Sequence, residues 1–184
     1  MVKKIIITGG LGYIGTELCK IYSGVSWHHK ILVIDNRFVS ERVNQIRNWN
    51  MEFIHGDILD KDLVNKYFKD ADIVHHLAGV TQVPRTKSES NAEVDKKIKL
   101  VGEKGNQNIL DIISKSCKII FPSTHVVYEG IDKVKNDIRE DEETKPVLSY
   151  SSSKATNEKQ LRESGKNYVI LRLGSVYGLS LIHI

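Results

Sequence analysis

The sequence has little cysteine, no long apolar run and no cluster of one charge. Two cysteines in 184 residues cannot build the disulfide framework of a small secreted scaffold. Cys19 and Cys117 both fall in apolar segments, so buried free thiols are expected. No apolar stretch approaches the ~20 residues of a membrane-spanning helix. The N-terminus runs directly into a strand-like segment with no secretory leader pattern, so a cytoplasmic protein is expected. The net charge of +4 is mild and the lysines are dispersed, which gives no footprint for nucleic acid. Internal repeats and low-complexity linkers are missing as well. The histidine pairs His28-His29 and His75-His76 have no third ligand at suitable spacing, so no metal site is expected. Neighbours on a strand also point to opposite faces, which keeps the second pair from chelating one ion.

What remains is an ordinary globular composition, 40% hydrophobic and 27% charged. Its length suffices for one domain with a sizeable core. Short β-branched runs alternate with helix-like segments. Strands are predicted at 4–8, 31–35, 52–55, 73–76, 118–121 and 168–172. Helices are predicted at 13–21, 39–47, 60–68, 90–116 and 149–164. Such alternation predicts an α/β fold: a doubly wound parallel sheet with helices on both faces. Near-continuous apolar strands such as Ile5-Ile6-Ile7 suit strands covered on both sides. Gly102 and Gly105 lie inside the long helix, so it either bends there or meets another backbone closely. The acidic, lysine-rich stretch 129–146 reads as a surface loop over the C-terminal ends of the strands. Trp27 and Trp49 are expected to pack at element edges.

The most informative stretch is Thr8-Gly9-Gly10-Leu11-Gly12-Tyr13-Ile14-Gly15. A strand enters it and a helix leaves it. Gly9 can take backbone angles that other residues resist. Gly12 lets a pyrophosphate approach the main chain, and Gly15 lets the helix pack close to the strand. The open N–H groups of the helix N-terminus favour an anion. Asp35 ends the next strand, 20 residues after Gly15, where a carboxylate meets the ribose diol of an adenosine. It would repel a 2′-phosphate, which favours NAD over NADP. Arg37 follows closely and softens that preference. A helix cap or a solvated loop residue is the plainer reading of Asp35.

Tyr150-Ser151-Ser152-Ser153-Lys154 is the candidate catalytic pair. Four residues apart on a helix, Tyr150 and Lys154 share a face. A nearby ammonium favours the phenolate and lowers its pKa toward a useful range. Chance alone supplies about 0.8 such pairs in a chain of this composition, so context decides. The pair opens a predicted helix, with Pro146 just before it and Ser149 as its expected cap. It also follows the hydroxyl-bearing segment Phe121-Pro122-Ser123-Thr124. Thr124 is the expected third member, with Ser123 as the rival hydroxyl.

These segments together resemble the extended short-chain dehydrogenase/reductase family, particularly its NAD-dependent sugar epimerases and dehydratases. The glycine turn resembles the family's T-G-G-x-G-[FY]-I-G. His55-Gly56-Asp57-Ile58 resembles the stretch whose aspartate meets the adenine. His76-Leu77-Ala78-Gly79 resembles the turn beside the cofactor. Thr124-His125-Val126-Val127-Tyr128 resembles [ST]-x-x-V-Y. Tyr150 to Lys154 resembles Y-x-x-x-K, with Glu158 continuing the spacing. Leu171-Arg172-Leu173-Gly174-Ser175-Val176-Tyr177-Gly178 resembles L-R-x-x-N-V-Y-G. Two departures stand out: Gly102 occupies the place of an active-site asparagine, and Ser175 that of an asparagine which often contacts the sugar nucleotide.

The resemblance implies NAD as cofactor and a nucleotide-activated sugar as substrate, converted through a transient keto intermediate. Thr124, Tyr150 and Lys154 become the catalytic residues. The implied cofactor contacts are Gly9, Gly12, Tyr13, Ile14, Gly15, Asp35, Asn36, Arg37, Asp57, Ile58, Leu77, Ala78, Gly79, Tyr150, Lys154 and Leu173. The full-length protein is expected to be a homodimer. Residues 1–178 are expected to form the NAD-binding domain, cut off before a C-terminal substrate-binding region. Residues 179–184 match the translation of a transposon-end adapter used in sequencing libraries, so they are expected to be foreign. Two other readings remain open. One is an NAD(P)-dependent ketone or alcohol oxidoreductase on a lipid or sterol-like substrate. The other is a non-catalytic dinucleotide sensor.

Overall fold

A computed structural model describes residues 1–81, 91–132 and 135–177. The chain alternates strand and helix: β1 (Lys4–Thr8), α1 (Tyr13–Ser23), β2 (Lys30–Asp35), α2 (Ser40–Asn48), β3 (Glu52–His55), α3 (Lys61–Phe68) and β4 (Ile73–His76). Then follow α4 (Ala92–Lys99), a π-helical turn (Leu100–Lys104), α5 (Gly105–Ile112), β5 (Lys118–Thr124), a 3₁₀ turn (His125–Tyr128), α6 (Ser149–Glu163) and β6 (Asn167–Leu173). All the strands are parallel, in the order β3-β2-β1-β4-β5-β6. The strand order reverses between β1 and β4. A crevice opens there at the C-terminal ends of the strands, which is where α/β sheets take their ligands.

Alternation along each strand divides the core in two. Ile5, Ile7, Ile31 and Val33 face α1 and α2, together with Cys19, Val43 and Ile46. Ile6, Leu32, Ile34, Val74, Ile119 and Phe121 face the other way, onto Val64 and Phe68 of α3, Ile109 of α5 and Leu161 of α6. Helices therefore cover both faces, as predicted. Both thiols are free and buried; burial pushes Cys19 up to about 12 and Cys117 up to about 11.

Several predicted boundaries move, each for a physical reason. β5 runs through Pro122 to Thr124 rather than stopping at Phe121. β4 pairs only as far as His75 with Ile120, so the last part of β5 bonds β6 alone and a missing N–H on the β4 side costs no ladder bond. The long helix runs from its Asn91 cap only to Ile112, because Ile113 turns extended and Ser114 Oγ accepts the Cys117 N–H at 3.1 Å. Of the two explanations for its glycines the irregularity in the helix holds, whereas what approaches them closely is side chains rather than another backbone. The π turn bulges the helix at Gly102, and a Cβ on Gly102 would stand 2.5 Å from Ser153 Oγ. A Cβ on Gly105 would stand 2.4 Å from Ile58. Leu148, not Ser149, is the cap of α6. Trp49 packs against the α1–α2 core, whereas Trp27 is 76% exposed. The 129–146 stretch carries no helix or strand among its described residues. Its neck is closed by Lys145 N–H to Val127 O and Gly130 N–H to Lys145 O, both 2.8 Å.

Candidate functional site

The crevice is built from the end of β1 outward. Gly9 has φ +65°, and a Cβ there would meet the Ala78 main chain at 2.8 Å. The glycine turn and the 77–79 turn after β4 can touch only because Gly9 has no side chain. A Cβ on Gly15 would stand 2.4 Å from Gly9 O. Gly15 thus packs α1 onto the turn itself, where contact with the strand was expected. Gly10, which sequence reasoning passed over, sits so close to β2 that a Cβ would lie 2.1 Å from Val33. Gly12 is the N-cap of α1, with no side-chain cap and no acidic residue in the first turn. The N–H groups of Tyr13, Ile14 and Gly15 open the helix without intrahelical partners, as the first N–H groups of any helix do.

The floor beside the turn is knit by polar bonds. Thr8 Oγ1 accepts the Ala78 N–H at 3.0 Å and lies 3.0 Å from His76 Nδ1. Burial, helped by the Lys154 charge, lowers His76 to about 3, so its ring is neutral beside the Thr8 hydroxyl. His75 points to the opposite face, 2.8 Å from the Tyr22 hydroxyl, and burial lowers it to about 4.

Asp35 is neither a helix cap nor a solvated residue. It ends β2 almost buried, at 6% exposure. Oδ2 accepts the Leu11 N–H at 3.0 Å, and Oδ1 accepts the Arg37 N–H at 3.0 Å and Arg37 Nε at 3.5 Å. Asn36 Nδ2 donates to Asp57 Oδ2 at 2.9 Å, which ties the ends of β2 and β3. Ile58 turns its side chain into the core, and Leu77 packs on the α1–α2 side.

Tyr150 and Lys154 line one cleft with His76, Leu77, Ala78, Gly79, Val80, Thr81, Ile98, Gly102, Phe121, Ser153 and Asn157. Their helical spacing does place them on one face, and the 77–79 turn stands opposite. Lys154 Nζ donates to Pro122 O at 2.7 Å and lies 4.4 Å from the Phe121 ring centroid. It stands 5.9 Å from the Tyr150 ring centroid. Burial lowers Lys154 to about 8, against a smaller opposing pull from Glu158. The expected depression of Tyr150 is not what this arrangement gives: burial pushes its phenol up. The ammonium faces a carbonyl and a ring rather than the phenol oxygen, so desolvation wins.

Thr124 closes β5 with 9% exposure, and its Oγ1 accepts the Val126 N–H at 3.3 Å. It stands outside the residues lining the Tyr150 cleft. The rival hydroxyl is committed elsewhere: Ser123 Oγ donates to Glu158 Oε1 at 2.6 Å. Leu173, expected beside the cofactor, ends β6, two strands away from β4.

Two anchoring carboxylates were missed as such. Glu158 is fully buried and takes Arg172 Nε at 3.0 Å, Arg172 Nη2 at 2.6 Å and Arg162 Nη2 at 2.9 Å. Burial pushes its carboxyl up, but Arg172, Ser123 and Arg162 outweigh that and hold it below the usual range. Arg172 also donates to Glu140 O at 2.8 Å, which pins the 129–146 loop over the sheet. Glu129 accepts the Val147 and Leu148 N–H groups at 2.8 and 2.7 Å, and the Ser151 hydroxyl as well. It holds the start of α6, and so Tyr150, against the turn that follows Thr124.

A glycine turn on β1, an acidic β2 end and a Tyr-Lys helix at the sheet reversal define a dinucleotide-binding α/β domain. The sequence matches the NAD dependent epimerase/dehydratase family over residues 5–181, and the chain belongs to that family. It is 30% identical to a dTDP-D-glucose 4,6-dehydratase of Dictyostelium discoideum, over 96% of this chain and 44% of that protein. It is 31% identical to a CDP-paratose 2-epimerase of Salmonella typhi, over 95% of this chain and 58% of that protein. Among solved structures, the Bordetella bronchiseptica enzyme WbmH in complex with NAD+ superposes with a TM-score of 0.79 at 27% identity. That match covers 97% of this chain and 57% of WbmH. The UDP-glucuronic acid 4-epimerase of Bacillus cereus, solved with UDP-glucuronic acid and NAD, gives 0.77 at 26% identity, over 95% and 57%. The chain thus spans about half the length of these relatives.

Proposed function

We propose that this chain is the NAD-holding part of an epimerase or dehydratase of nucleotide-activated sugars. The observation that carries the reading is the convergence of Tyr150 and Lys154 with the 77–79 turn, beside a glycine cradle that side chains would fill. The fit to a dinucleotide rests on that cradle and on the uncapped, acid-free start of α1. Bound NAD would take a hydride from the sugar and return it.

The remaining work falls to the chain. Gly9, Gly12 and the N–H groups of Tyr13, Ile14 and Gly15 hold the diphosphate. Asp35, with Asn36 beside it, holds the adenosine ribose, and Asp57 and Ile58 border the adenine. Leu77, Ala78 and Gly79 wall the nicotinamide side. Tyr150 takes the proton from the sugar hydroxyl as the hydride leaves; anchoring that oxygen is assigned to Thr124 by the family pattern alone, since Thr124 stands outside the lining of the Tyr150 cleft. Lys154 steadies the phenolate once its ammonium turns from Pro122 O toward the phenol. The lipid-oxidoreductase and sensor readings have no observation in their favour. A C-terminal region holding the sugar nucleotide, a homodimeric assembly and a cytoplasmic location complete the proposal. None of the helices among the described residues is long and apolar enough to cross a membrane.

Replacing Tyr150 with Phe tests the reading. NAD affinity, measured by calorimetry, is expected to stay within about twofold, while the rate at which a nucleotide sugar reduces bound NAD falls about 10²-fold or more. Equal rates in the two proteins would remove Tyr150 from the chemistry.

A further inference from the structure

The anion position at the start of α1 has a side-chain cation beside it. Arg37 leaves the end of β2 with its Nε edge on Asp35 Oδ1. Its guanidinium then reaches across the glycine turn: Nη2 lies 3.9 Å from where a Cβ on Gly12 would stand. The side chain is 53% exposed, so the fork is anchored at one edge and open at the other. Asp35 grips both parties, since its second oxygen holds the Leu11 N–H. Arg42, the next arginine, donates to the Leu11 carbonyl. Arg37 is the one of the two whose guanidinium lies against Gly12, the N-cap of α1.

We propose that Arg37 is a diphosphate-contacting residue, closing over the anion that the α1 N-terminus receives. The inference rests on the dinucleotide reading above and deepens it. A guanidinium is suited to the task, because its planar fork makes two parallel, charge-assisted bonds to phosphate oxygens. The Asp35 carboxylate serves as the hinge post of that fork as well as a ribose contact. An arginine after β2 is otherwise read as a 2′-phosphate contact, which would make it matter for NADP alone. Its approach to Gly12 places it toward the diphosphate instead.

Calorimetric titration of the whole chain with NAD and ADP, and with adenosine by competition, separates these roles. Arg37→Leu is expected to weaken NAD and ADP alike by about tenfold, with adenosine unchanged within about twofold. Arg37→Lys keeps the charge without the fork and should fall between. Arg47→Leu removes the same charge from the exposed far end of α2 and should change nothing. Thermal melts confirm that each variant is folded. If Arg37→Leu fails to fold, Arg37→Lys against the parent decides. Unchanged NAD and ADP affinity, a parallel loss of adenosine, or an effect confined to NADP would each overturn the assignment. A parent chain that takes up neither NAD nor ADP would sink the dinucleotide reading itself, which the Arg37 variants alone cannot do.

Discussion

The two halves of the sheet are held by different means. Around the glycine turn the main constraints are close approaches of the main chain, to which Asp35 and Thr8 add side-chain bonds. Gly9 N–H bonds Ile34 O at 2.8 Å, Gly12 N–H bonds Gly9 O at 3.0 Å, and Gly10 and Gly15 let backbone and strand close up. Around Tyr150 the constraints are side chains reaching far along the sequence. Ser123, Arg162 and Arg172 converge on Glu158, and Glu129 holds the start of α6. Steric shape sets the first half and buried charge sets the second. The first fails by crowding, the second by leaving a charge unpaired.

The largest effect should come from Glu158. Changing Glu158 to Gln leaves the Arg172 side chain, 9% exposed, without its carboxylate. Breaking a buried pair from one side costs about 3–5 kcal/mol, which urea unfolding would read directly. Adding Arg172→Met should recover a large part of the loss, since no buried charge is left unpaired and Arg162 is 47% exposed. A single-variant loss below about 1 kcal/mol would erase the contrast between the halves.

Acid supplies the next test, on β4 where the halves meet. His75 and His76 sit near 4 and 3, well below an imidazole's ordinary value. The unfolded chain binds these protons first, so their contribution is complete above about pH 6.5 and is lost as pH falls toward about 4. Urea unfolding at stepped pH should show a loss on the order of 3 kcal/mol from His75 alone. His75→Gln should flatten that part of the profile. A profile identical to the parent's would mean that His75 titrates normally in the folded chain.

The same contrast explains what could be read from the sequence. Gly9, Gly15 and Asp35 were legible because a tight turn and a strand end impose residue types locally. Tyr150 and Lys154 were legible because helix periodicity puts them on one face and the segments before them supplied the context. Glu129 was not, because its partners lie 18 to 22 residues away across a loop without periodicity. Glu158 was noted for its spacing, but nothing local foretold Arg172 closing on it from β6. The end of β5, expected at Phe121 and found at Thr124, was misplaced for a related reason. A proline ends a strand only where a neighbour needs its N–H, and pairing is not written in the residue itself. The raised phenol of Tyr150 depends on which way one ammonium turns, and spacing does not record that choice.

The smallest effect isolates one ingredient of the glycine half. Gly165, after α6, has φ +64°, nearly the +65° of Gly9, yet a Cβ there would meet nothing within 4 Å. Gly165→Ala therefore measures left-handed strain alone, about 1 kcal/mol. Gly9→Ala adds a main-chain clash with Ala78 to the same strain and should cost about 2–3 kcal/mol. The difference, taken from paired urea curves, is the worth of the close approach between the glycine turn and the 77–79 turn. Equal losses at both positions would mean that the Ala78 turn gives way freely. The crevice between β1 and β4 would then be set by side chains too, like the half around Tyr150.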